Sequence, residues 1–283
     1  MKKNFLRLLL SFSIMLVTLP AVTICAGNDA SGKQKKEKTE ASDLGVKPIT
    51  GTWINLAYKD VRNKYTNPQS FDNTDPELWK AKVRELSAMG IEYLVFMEVA
   101  NEGKAYYPSK LMPWWYDKDK QSPVESILDE AARHNMRIFM STGWAKDQDD
   151  NLLDPAIKQR QLQMMEELAA LYKNHKAFYG WDLPGEDCLC PIFAEHAVQS
   201  ANALTEKAKA LTPGKKTLIS PYGIGLSEFD NPEYEKQLAK LKVDIIAYQD
   251  EVGCVRDKFM LPRLKKTWQR LRDIHNRLNI EMW

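Results

Sequence analysis

The chain is short of several things. Its 283 residues hold only 13 glycines, four histidines and four cysteines, and 40 basic against 38 acidic side chains leave a formal charge of just +2. So even a balance excludes a nucleic-acid binder living off phosphate neutralisation, the more so because Lys2, Lys3 and Arg7 stand in an acid-free N-terminal stretch and leave the remainder slightly acidic. Few cysteines exclude a disulfide scaffold, few glycines exclude a collagen-like chain, and 44% hydrophobic residues exclude wholesale disorder. The apolar run Leu8 to Leu19 is short for a bilayer and is interrupted by Ser11, Ser13 and Thr18, which argues against a membrane anchor.

Chemical motifs are missing too. No G-x-S-x-G, H-E-x-x-H, phosphate-binding loop or G-x-G-x-x-G occurs, and Gly223-Ile-Gly225 is too short to count as one. His134, His175, His196 and His275 all fall in or beside helical segments, away from the strand ends where a metal site or a triad is assembled. The expectation is therefore no metal and no cofactor.

What is present begins with an export signal. Lys2, Lys3 and Arg7 precede the apolar run, with Pro20 and the small residues Ala21 to Gly27 behind it, so residues 1–26 read as a signal peptide and the mature chain as exported. Cys25 sits where a lipoprotein cysteine would sit, though Ile24 is bulky for the position before it; lipidation at Cys25 is the alternative to plain cleavage near Ala26, and would be the only tie to a membrane. Residues 27–47, rich in Lys, Glu, Ser and Gly, have almost nothing to bury and read as a flexible linker.

Residues 48–283 read as one domain. Strand-like runs start near Ile49, Ile91, Met136, Ala177, Thr217, Asp244 and Ile280, with amphipathic helical segments between them. Asp75-Pro76, Asp154-Pro155 and Asn231-Pro232 place a capping side chain before a first-turn proline, Ser122 with Glu125 fits a capping box, and Gly90, Asn135 and Gly214 close helices. Strand and helix in alternation demand parallel pairing, which makes the fold α/β. A doubly wound nucleotide-binding sheet needs a glycine-rich turn after its first strand, and Asn55 to Asn67 contains none. The expected architecture is a (β/α)8 TIM-barrel type, incomplete, with about six and a half βα units before Trp283.

Such a barrel gathers polar and aromatic residues at the C-terminal ends of its strands. Asn55, Glu98, Trp144, Asp182, Glu186, Tyr222, Gln249 and Asp250 lie at or just past those ends. Carboxylates and aromatics without histidine suit sugars, whose apolar faces stack on rings and whose glycosidic bonds are cut by two carboxyl groups. The long loop after the second strand carries Tyr107, Trp114 and Trp115, a candidate sugar-stacking platform; the bland alternative is that its rings pack onto the barrel rim. The expected partner is an oligo- or polysaccharide. Besides Cys25, three cysteines remain, and Cys254 paired with Cys188 or Cys190 is the expected bridge, because closure within C-x-C looks strained.

The segments Gly180-Trp-Asp-Leu-Pro-Gly-Glu186 and Ala247-Tyr-Gln-Asp-Glu-Val-Gly253 resemble those of a secreted, largely uncharacterised TIM-barrel family of Bacteroides-type bacteria related to glycoside hydrolases. The resemblance implies a general acid/base at Glu186, matching the glutamate that ends strand four in the related retaining enzymes. Their nucleophile, a glutamate ending strand seven, has no counterpart in this chain. Glu98 would contact substrate or orient Glu186. The alternatives are a non-catalytic carbohydrate-binding barrel and an inactive piece of a longer enzyme.

Overall fold

The computed structural model describes residues 48–56, 74–143, 154–184, 188–249 and 260–283. The expected signal peptide, Cys25 and the expected linker lie outside them. Among the described residues seven strands build one sheet: β1 (Gly51–Ile54), β2 (Tyr93–Phe96), β5 (Arg137–Met140), β6 (Phe178–Asp182), β7 (Lys216–Ile219), β8 (Ile245–Ile246) and β9 (Glu281–Met282). They are ordered β1-β2-β5-β6-β7-β8-β9, and every neighbouring pair is parallel. The α-helices described between them are α1 (Pro76–Ala88), α2 (Pro123–Arg133), α3 (Pro155–Tyr172), α4 (Glu195–Leu211), α5 (Pro232–Lys240) and α6 (Met260–Leu278).

Helices α1, α2, α3 and α5 start where side chains can satisfy their first N–H groups. Asp75 accepts from Glu77 N–H at 2.9 Å, Asp154 from Ala156 at 2.8 Å and Asn231 from Glu233 at 3.0 Å, each with proline in the first turn. Ser122 and Glu125 form the complete reciprocal box. Gly90, Asn135 and Gly214 all take positive φ just before the next strand. One element went unforeseen: β3 (Ala100–Asn101) and β4 (Lys104–Ala105), an antiparallel hairpin turned by Glu102 and Gly103, both at positive φ.

Alternation along the strands sorts two apolar layers. Leu94, Phe96, Ile138, Met140, Ile219 and Ile246 face the helices in the larger cluster, whereas Val95, Phe139, Leu218, Ile245 and Ala247 form a separate cluster on the opposite face. Tyr93, Tyr179 and Trp283 pack against that second cluster. The ring of Trp283, directly after β9, lies 5.1 Å from Tyr93 of β2 and 5.6 Å from Phe139 of β5. In a flat sheet five strand spacings, about 24 Å, would separate β9 from β2. The sheet is therefore curled around an aromatic interior, the incomplete barrel expected from the alternation.

Candidate functional site

The C-terminal ends of the strands converge on one rim. Asn55 follows β1 directly and is half-buried. Glu98 stands just past β2 and is 1% exposed. It packs against Gly143, past the end of β5: Gly143 has φ +65°, and a Cβ there would come within 2.0 Å of the Glu98 Cβ, so no other residue fits that close approach. Gly143 is fixed in turn by its N–H to Ser141 Oγ at 3.2 Å and by the side-chain amide of Gln161 on α3, which donates to its carbonyl at 2.6 Å. Asp182 ends β6 and is 8% exposed. Two carboxylates are thus buried at strand ends separated by β5 alone, about 9 to 10 Å between backbones.

Past β7 and β8 the rim is tied together by its own amides. Gln249 donates from its side-chain amide to the Ser220 carbonyl at 3.1 Å, and its backbone N–H donates to Pro221 at 3.0 Å. Tyr222, half-buried, accepts at its carbonyl from Leu189 N–H at 2.8 Å, which sews the loop after β6 to the loop after β7. Asn55, Glu98, Asp182, Tyr222 and Gln249 therefore share one rim. Glu186, Trp144 and Asp250, expected there too, lie outside the described residues, as does Cys254.

The disulfide expectation needs correcting. Cys188 is bonded to Cys190, not to Cys254, with Cα atoms 5.4 Å apart. Leu189 between them is fully buried, and its N–H donates to the Tyr222 carbonyl. The two sulfurs rest on Gly223, where a Cβ would stand 3.0 Å from Cys188 Sγ and 3.3 Å from Cys190 Sγ.

The aromatic loop also differs from expectation. Tyr107 has no exposed surface and donates from its phenol to Glu167 on α3 at 2.9 Å; burial pushes its pKa up, so the phenol stays a donor. It anchors the loop to α3 and presents nothing to solvent. Glu167 also accepts from Ser109 Oγ at 2.6 Å and from Lys110 N–H, and Arg160 donates to the Leu111 carbonyl at 3.0 Å. Trp114 and Trp115 remain half-buried, their indole N–H groups donating to Ser109 O at 2.8 Å and Asn101 O at 3.0 Å. Sequence reasoning passed over Glu167: a carboxylate on a helix reads as solvated, and the three donors that converge on it come from nearly sixty residues upstream.

A family model described as "Domain of unknown function (DUF4434)" matches residues 49–283. Among solved structures the chain is similar to an alpha-L-fucosidase candidate from Bacteroides thetaiotaomicron VPI-5482, with a TM-score of 0.63 at 18% identity over 83% of this chain and 72% of that one. It is also similar to a structure described as a glycoside hydrolase, with a TM-score of 0.49 at 15% identity over 72% of this chain and 69% of that one. The intracellular xylanase TsXylA from Thermoanaerobacterium saccharolyticum gives a TM-score of 0.47 at 14% identity over 82% of this chain and 70% of that one. At such identities the likeness is one of fold, and the first of the three carries it. No curated protein matches the chain.

Proposed function

The chain belongs to the DUF4434 family, and from that premise we propose that it is an exported glycosidase acting on an oligo- or polysaccharide. The observation that carries this reading is the burial of Glu98 and Asp182 at the C-terminal strand ends of a barrel similar in fold to an alpha-L-fucosidase candidate. The C-terminal rim is where such a barrel assembles its chemistry, and acids placed there are candidates for it.

In this reading Glu186 gives its proton to the leaving glycosidic oxygen as the bond between that oxygen and the anomeric carbon breaks, and water bonds to that carbon and returns a proton to the carboxylate. Glu98, locked against Gly143, orients that acid or touches the sugar beside it. Asp182, Asn55, Tyr222, Gln249 and Asp250 hydrogen-bond hydroxyls, while Trp144, Trp114 and Trp115 cover apolar sugar faces. The order of charged, apolar and small residues in 1–26 supports export.

A second reading, a barrel that binds carbohydrate without cutting it, is favoured by the firmness with which the aromatic loop is built. Incubating the full chain with a panel of oligosaccharides and assaying new reducing ends separates the two. The proposal expects release by the wild type and a loss of about 10²-fold or more in Glu186→Gln, as for removal of a general acid. Retention of a glycan with no cleavage at any enzyme concentration would leave the binder.

A further inference from the structure

Trp114 and Trp115 are mounted alike. Each ring has one face on a buried tyrosine: Tyr116 stacks on Trp114 with centroids 5.2 Å and planes 12° apart, and Tyr106 stacks on Trp115 at 6.1 Å and 19°. Each also carries an ammonium, Lys118 Nζ 5.5 Å from the Trp114 centroid and Lys104 Nζ 4.5 Å from that of Trp115. Both lysines are exposed, and neither forms an ion pair among the described residues.

An exposed ammonium over an indole is a weak contact that yields to a better partner. A neutral pyranose seeking the same ring must displace the lysine and offers it only hydroxyls. A pyranose with a carboxylate can lie on the ring through its C–H face and take the displaced ammonium as the partner of its charge, in a charge-assisted hydrogen bond. The indoles are already fixed by their N–H bonds and by the Glu167 clamp, so little ordering is lost when a sugar arrives.

We propose that Trp115 with Lys104, and Trp114 with Lys118, are subsites for uronate residues, which makes the glycan an acidic polysaccharide. This rests on the carbohydrate reading above and adds to it the substrate class.

Calorimetric titration of the full chain with oligomers of galacturonate, of mannuronate and guluronate, and of glucuronoxylan, each beside its carboxyl-reduced counterpart, is the test. At least one acidic series should bind about tenfold more tightly than its reduced form at low salt, with the preference shrinking as salt rises. The double variant Lys104→Ala, Lys118→Ala should bring that series down to the level of the reduced one while its melting temperature stays with the wild type, because both side chains are exposed. Equal binding of acidic and reduced oligomers throughout, or a preference that survives loss of both lysines, would overturn the proposal. Acidic preference without cleavage would sink the hydrolase reading and keep this one, whereas cleavage of a neutral glycan without acidic preference would do the reverse.

Discussion

A buried chain of hydroxyl and imidazole groups shows how much a single residue decides. The Nδ1 of His275 lies 3.1 Å from the carbonyl of Ile280, which can only accept, so the proton sits on Nδ1. Nε2 is then an acceptor, Tyr248 donates to it at 2.9 Å, and Tyr234 donates to Tyr248 at 2.6 Å. The three groups join α5, the segment after β8, and α6. Burial of the imidazole holds its pKa below the ordinary value of 6.5, and the charge of Arg272 acts in the same direction. The unfolded chain therefore binds the proton more readily than the folded one. The stability this group contributes is complete above about pH 6.5 and is lost as pH falls below it. Melting temperature measured from pH 8 to pH 5 should decline on the acid side. His275→Gln should decline less steeply, from a baseline lowered by about 1–3 kcal/mol through its broken hydrogen bonds. Equal slopes in the two proteins would show that His275 does not govern the acid limb.

At the scale of elements, the loop between β4 and α2 is held to α3 by one carboxylate. Glu167→Ala strips the acceptor from the Tyr107 phenol, the Ser109 hydroxyl and the Lys110 N–H together. The expected cost is about 2–4 kcal/mol in urea unfolding, with faster amide exchange over residues 105–116 than over β5 and β6. Uniform acceleration in all of these would mean that the carboxylate supports the whole fold rather than the loop.

The same elements show what was legible beforehand. Asp75, Ser122, Asp154 and Asn231 announce four helices because capping and first-turn proline are local devices, whereas α4 begins after Ala194 with no side-chain cap and gives no such signal. The β3–β4 hairpin escaped because strands of two residues have no period to read. Tyr107, Trp114 and Trp115 are alike in composition, and only the position of Glu167 on a later helix makes the first an anchor and leaves the others partly open. Cys188 pairs with Cys190 beside a hydrogen bond from Leu189 N–H to Tyr222, a contact between two loops that spacing does not encode.

At the scale of the whole molecule, the curled parallel sheet follows from the alternation of strands and helices, and the rings of Tyr93, Phe139, Tyr179 and Trp283 fill its interior. That architecture brings Asn55, Glu98, Asp182, Tyr222 and Gln249 to one rim whatever the reaction. In the function proposed above, the chemistry turns on one residue, Glu186, and on whether it protonates a leaving group. Comparing kcat/KM of the wild type and Glu186→Gln across aryl glycosides of graded leaving-group acidity tests this most directly, because a general acid matters more as the departing oxygen becomes more basic. The account predicts a defect of about tenfold or less for the most acidic phenols, widening to about 10³-fold for the least acidic. A defect of one size across the whole series, or none, would contradict it.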